Sequence, residues 1–163
     1  VYLCKYYGLN EVAEYWYQVV KINEYQKERF TQKIIDHFGG DLAGKRFAIL
    51  GWAFKANTND SRESPAIKVC EILVSCGASL SIYDPMVQNQ TILKDIECLW
   101  NIEQPIRNKK INIVDNFNDD NNYDAIVILT EWEEFKSIDL RTSKIIFDGR
   151  NINQNNSTIS IGK

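Results

Sequence analysis

Five short strand-like runs constrain this 163-residue chain more than any other feature: Phe47–Leu50, Leu80–Tyr83, Ile111–Val114, Ala125–Leu129 and Lys144–Phe147. Each has four or five residues, mostly β-branched, aliphatic or aromatic, and helical or turn-like sequence separates them. Runs this short and this apolar are buried on both faces, which is the pattern of a parallel sheet. Parallel neighbours need crossover helices, and right-handed crossovers leave few topologies. The expected fold is α/β, a doubly wound, Rossmann-like parallel sheet over residues 43–163, with a last short strand at Thr158–Ile161.

Between the first two runs the sequence reads as strand, loop and helix start. Gly51 ends the first strand and permits a turn that a Cβ would hinder. Ser64 is a good N-cap and Pro65 a good first helical residue. An amphipathic helix then carries Ile67, Cys70, Leu73 and Val74 on one face and stops at Gly77. The loop sets Lys55 and Arg62 beside a helix N-terminus, whose free N–H groups favour an anion. A solvated loop with incidental charges fits the same residues.

The rest of the chain is less regular. Gln88 to Asn108 is ambiguous, with a weak helix over Thr91–Leu99 and Cys98 in irregular surroundings. Residues 117–123 form a short helix or loop, Thr130 caps a short helix through Trp132 and Phe135, and residues 151–156 are turn-like. At the other end, Gly8 closes one helix and Asn10 caps a second. No proline or glycine occurs from Glu11 to Phe38, and apolar residues recur at helical spacing from Val12 to Phe38. A continuous helix there is about 40 Å long, enough to connect two units or to build an oligomer interface. A helix packed on its own domain is the alternative. Residues 1–42 are therefore set apart from the 43–163 domain.

Ligands of such sheets bind beyond the C-terminal strand ends. Phe54, Lys55 and Arg62 follow the first run, Asp84 the second, Thr130, Glu131 and Trp132 the fourth, and Asp148, Gly149 and Arg150 the fifth. Lys55, Arg62 and Arg150 thus share one rim, which suits a diphosphate. The first turn lacks the G-x-G-x-x-G of a dinucleotide site. Asp84 reads as a turn former, Glu131 as structural, Trp132 and Phe135 as core, and His37 as a helix-end residue. A net charge of −3 argues against nucleic acid, and no apolar run reaches membrane-spanning length. Cys4, Cys70, Cys76 and Cys98 have no metal-ligand spacing, and they suit a cytoplasmic protein with reduced thiols.

Gly51-Trp52-Ala53-Phe54-Lys55 followed by Asp60-Ser61-Arg62-Glu63-Ser64-Pro65 resembles the UDP-glucose 6-dehydrogenase family, and more broadly the nucleotide-sugar dehydrogenases. Asn10–Trp16, Arg29-Phe30, Thr130-Glu131-Trp132 with Phe135, and Phe147-Asp148-Gly149-Arg150 resemble it too, in matching order. The resemblance implies that residues 1–42 end a central helical region that mediates dimerisation, and that residues 43–163 bind the UDP-sugar. It implies sugar-nucleotide contacts by Phe54, Lys55 and Arg150, and contact by Arg62 with NAD held mainly by an N-terminal domain. It implies oxidation of UDP-glucose to UDP-glucuronate through a catalytic cysteine upstream of Val1, so that none of the four cysteines here is catalytic. GDP-mannose or UDP-N-acetylmannosamine as the sugar nucleotide, and a non-catalytic nucleotide-binding or oligomerisation module, are the alternatives.

Overall fold

The computed structural model describes residues 1–118, 123–136, 145–153 and 158–162. A short helix α1 (Tyr2–Tyr6) leads through Gly8, at φ +72°, into the long helix α2 (Asn10–His37). At 28 residues, α2 is about 42 Å long. Gly39 and Gly40, both at positive φ, end its run. Asn10 does not cap α2. The turn at Gly8 ties Leu9 N–H to the Cys4 carbonyl at 2.8 Å, which makes Leu9 the capping residue and Asn10 already helical.

The α/β unit follows as β1 (Arg46–Leu50), α3 (Pro65–Ser75), β2 (Ser79–Tyr83), α4 (Asn89–Leu99), α5 (Gln104–Lys110), β3 (Ile111–Ile113), β4 (Ala125–Ile128), α6 (Glu133–Lys136), β5 (Ile145–Asp148) and β6 (Thr158–Ser160). The strands form one sheet in the order β3-β2-β1-β4-β5-β6, every pair parallel. This is the doubly wound arrangement anticipated from the runs. The winding reverses between β1 and β4, the place where such sheets bind ligands.

Burial explains the run composition. β4 is buried along its whole length, and β1 is buried at all but its first residue. Phe47 pairs with Leu80 on one side and Ala125 on the other, so its ring lies at the centre of the core. The second run alternates in burial because β2 has only Leu80 and Ile82 turned fully inward.

The two ends of α2 behave differently. Near its C-terminus Phe30, Ile34 and Ile35 join the core under the sheet. The His37 ring meets Phe147, Phe38 meets both Phe47 and Phe147, and Lys33 Nζ donates to the Ser160 carbonyl at 3.2 Å. The helix also packs against α3. Toward the N-terminus only Ala13 is buried, while Tyr15, Trp16, Val19 and Ile22 are exposed. The helix thus packs on its own domain at one end and projects an apolar stripe at the other.

Two further local expectations give way. Thr130 does not cap α6, because its hydroxyl donates to the Ala53 carbonyl at 2.7 Å. Cys98 lies on α4 and is exposed there. Helix α5 was not anticipated, although Pro105 in its first turn is an ordinary start signal. Lys144, most of the 117–123 segment and residues 154–156 lie outside the described residues. No described helix is long and apolar enough to cross a membrane.

Candidate functional site

The rim at the C-terminal strand ends is built by side chains that brace the loops. Gly51 sits at φ +101°, and a Cβ there would lie within 2.6 Å of Thr130 backbone and hydroxyl atoms. Only glycine lets the β1 and β4 exits approach this closely. Ser64 caps α3 by accepting from Ala66 N–H at 3.3 Å, with Pro65 as the first helical residue, as the sequence indicates.

Asp84, at the end of β2, is the main brace. One carboxylate oxygen accepts from the Trp52 and Ala53 N–H groups at 2.6 and 2.9 Å and from Trp132 Nε1 at 3.1 Å. The other accepts from Met86 and Val87 N–H at 2.9 and 2.8 Å. Dinucleotide-binding units use an acid at this position for the ribose. Here both oxygens are spent on the protein, and no G-x-G-x-x-G precedes them. The residues present do not fit a dinucleotide held in the usual way.

The β5 exit is braced similarly. Buried Asp148 accepts from the N–H groups of Arg150, Asn151 and Asn153, each at 2.8 Å. A Cβ on Gly149 would stand 3.2 Å from the Ile128 carbonyl and 3.4 Å from the Phe30 ring, so a larger residue would wedge β4 from α2.

A cavity of about 490 Å³ opens at this rim, at the winding reversal. Phe54, Leu129, Gly149 and Arg150 form its floor, and the start of α3 closes one side. Arg150 is aimed by two carbonyls. Its Nε donates to Leu129 O at 2.7 Å and its Nη2 to Phe54 O at 2.9 Å. Phe54 and Arg150, both singled out from the sequence, therefore meet. Lys55 and Arg62 do not line the cavity. Lys55 is exposed on the loop, and Arg62 forms a forked pair with Asp60 at 2.9 and 2.7 Å. The hydrogen bonds from Arg62 hold the Asp60 carboxyl down to about 2.

The far wall of the cavity comes from α2, which sequence reasoning treated as a connector. Val20, Asn23, Glu24, Lys27 and Phe30 fall on one stripe at spacings of three and four. Lys27 is the second cation facing the cavity, its ammonium 2.6 Å from Glu24 Oε1. The signal was available: the apolar stripe of α2 turns polar at Asn23 and apolar again at Phe30. No cysteine lines the cavity. Cys70 is buried on α3, and burial pushes its thiol up, away from the reactive thiolate. Among the described residues no cluster of His, Cys, Asp or Glu could hold a metal ion.

A Rossmann-ordered sheet with a cavity at its reversal and two cations, Lys27 and Arg150, facing that cavity defines a doubly wound ligand-binding domain whose rim can take an anion. Residues 48–155 match the model of the UDP-glucose/GDP-mannose dehydrogenase family, UDP binding domain, and the chain belongs to that family. It is 41% identical over 179 residues to UDP-glucose 6-dehydrogenase 4 of Arabidopsis thaliana, covering 99% of this chain and 37% of that protein. To UDP-glucose 6-dehydrogenase of Drosophila melanogaster it is 44% identical over 161 residues, covering 93% and 34%. Among solved structures it is similar to a UDP-glucose dehydrogenase from Pyrobaculum islandicum, with a TM-score of 0.68, 28% identity and coverage of 87% of this chain and 30% of that one. The chain thus spans about a third of the length of the curated relatives it matches.

Proposed function

We propose that this chain is the UDP-sugar-binding part of an NAD-dependent UDP-glucose 6-dehydrogenase, which oxidises UDP-glucose to UDP-glucuronate. The observation that carries this reading is the rim cavity, where Arg150 is pre-aimed by Leu129 and Phe54 and Lys27 lines the opposite wall. Arg150 is also paired with Glu131 at 3.3 Å, but its guanidinium has further N–H donors, and such a fork suits phosphate oxygens. Relatives near 40% identity that carry the UDP-glucose 6-dehydrogenase name favour UDP-glucose over GDP-mannose or UDP-N-acetylmannosamine.

The roles divide as follows. Phe54, Lys55 and Arg150 contact the UDP-sugar, with exposed Lys55 folding over the cavity mouth once the anion is present. Arg62 reaches NAD, which is held mainly by residues outside this chain. The relatives' greater length leaves room for a second nucleotide-binding domain. The cysteine that captures the aldehyde also lies outside this chain, since none of the four here reaches the cavity. Residues 1–42 form the connecting and self-associating region, and residues 43–163 the UDP-sugar domain. The exposed stripe of Tyr15, Trp16, Val19 and Ile22 makes the homo-oligomer contact. Four free cysteines suit the cytoplasm.

Turnover tests the reading. This chain alone forms no NADH from UDP-glucose and NAD, whereas the longer protein carrying it does, because bringing both reactants together supplies up to roughly 7–11 kcal/mol of the barrier. In that longer protein, replacing Cys4, Cys70, Cys76 or Cys98 by serine leaves the chemistry running. Turnover by the isolated chain, or its abolition in a folded Cys4→Ser enzyme, contradicts the assignment.

A further inference from the structure

Glu131 follows β4 and makes two polar contacts among the described residues, one to Arg150, which lines the cavity, and one to Ala56, in the loop that carries Phe54. Its Oε1 accepts from the Ala56 N–H at 3.3 Å, in the loop after β1. Its Oε2 stands 3.3 Å from Arg150 Nε. That oxygen is buried and accepts no hydrogen bond, because the Nε–H of Arg150 already points to Leu129 O at 2.7 Å. A carboxylate oxygen withdrawn from water without a donor is costly. Here the neighbouring guanidinium charge compensates for it.

The arrangement links three loops. The β4 exit supplies Leu129 and Glu131, the β1 loop supplies Phe54 and Ala56, and the β5 exit supplies Arg150. Both carbonyls that aim Arg150 are neutral. Among the described residues Glu131 is the one carboxylate paired with it, and the same carboxylate tethers Ala56, two residues from the Phe54 carbonyl that receives Nη2. Among the described residues Arg150 Nη1 has no hydrogen-bond partner, and Arg150 lines the cavity.

We propose that Glu131 is a positioning residue: it fixes Arg150 and the Phe54–Ala56 loop so that the free edge of the guanidinium presents to an anionic group of the nucleotide-sugar. The inference rests on the reading of the cavity as the nucleotide-sugar site. Glu131 acts through Arg150 and does not itself touch the ligand. Its charge therefore matters to binding only while Arg150 is present.

A double-mutant cycle on this chain tests it, with UDP-glucose affinity measured by NMR titration and the Arg150 Nε–H resonance as a second readout. Glu131→Gln keeps an acceptor for Ala56 and removes the charge. It is expected to weaken UDP-glucose by about tenfold, the order carried by one charge-assisted contact, and to move the Arg150 Nε–H resonance in the free protein. In an Arg150→Ala background the same substitution changes affinity by less than about twofold, since no guanidinium remains to aim. Glu131→Asp keeps the charge but withdraws it by one methylene, and gives a smaller loss of the same sign. If Glu131→Gln does not fold, Glu131→Asp carries the cycle. Equal losses in both backgrounds, or an unmoved Nε–H resonance, overturn the proposal while leaving the nucleotide-sugar site standing. An Arg150→Ala chain that binds UDP-glucose as tightly as the unaltered one overturns the site reading itself, and this proposal with it.

Discussion

Replacing Asp84 with asparagine is expected to be among the most damaging near-isosteric changes in the chain. The carboxylate accepts five hydrogen bonds, three on one oxygen and two on the other. An amide has one acceptor oxygen, and its NH₂ would face N–H donors wherever it is placed. The less harmful orientation keeps the oxygen toward Trp52, Ala53 and Trp132 and leaves the Met86 and Val87 N–H groups unpaired. Hydrogen bonds to a charged group contribute about 1.5–3 kcal/mol each, so two lost bonds cost about 3–6 kcal/mol. That is a large part of the 5–15 kcal/mol that a domain commonly has. At about 2–4 °C per kcal/mol for a chain of this size, the melting midpoint falls by roughly 6–24 °C. The assay is paired thermal and urea unfolding of Asp84→Asn against the unaltered chain. Asp60→Asn serves as control, because Asp60 lies on the exposed loop and its carboxylate, among the described residues, pairs only with Arg62. A loss under about 1 kcal/mol for Asp84→Asn would refute the view that this acid braces the rim.

Three further outcomes follow from the same geometry. Gly51→Ala combines a left-handed backbone, about 1–2 kcal/mol, with a collision on Thr130; urea unfolding is expected to show a loss above about 3 kcal/mol, and a neutral result contradicts the close β1–β4 approach. Burial, and then the Glu134 carboxylate, push the Tyr83 phenol up to about 12. The fold therefore favours the neutral phenol, a contribution present below the unfolded value near 10 and lost as pH rises from about 10 to 12. Tyr83→Phe should flatten the fall in stability across that window by about 1–2 kcal/mol relative to the unaltered chain, and an equally steep fall in both contradicts it. Sedimentation should find the chain at least dimeric at micromolar concentration and Trp16→Lys shifted toward monomer; a monomeric unaltered chain removes the exposed α2 stripe as an interface.

The sheet was legible in the sequence because two-sided burial leaves little choice of residue. Ala125–Ile128 has no polar atom outside its backbone, and such a run admits few other structures. Gly51, Ser64 and Pro65 were legible as well, since each answers a purely local backbone need. What stayed hidden was carried by contacts distant in sequence. Thr130 looks like a cap until Ala53, 77 residues earlier, takes its hydroxyl. Lys27 looks like a solvated helix residue until the β5 exit is folded opposite it. Lys55, Arg62 and Arg150 all follow strand ends, but a strand end specifies an edge and not a direction, and only Arg150 of the three lines the cavity. Arg150 turns into the cavity because Asp148 shapes its turn and two carbonyls draw it in, whereas Arg62 is drawn aside by Asp60, two residues away.

Whether the rim cavity between α2 and the β1, β4 and β5 exits holds the sugar nucleotide is decided by an NMR titration of this chain with UDP-glucose, and separately with NAD. UDP-glucose is expected to shift the resonances of Phe54, Gly149, Arg150 and Lys27 at low added concentration. Arg150→Ala should weaken that response by about tenfold or more, the loss of one charged hydrogen bond, while NAD leaves the same resonances nearly unmoved. Shifts centred instead on the groove between α4 and the β3 edge, near Asn89, Asn108 and Asn112, or a stronger response to NAD than to UDP-glucose, would contradict it.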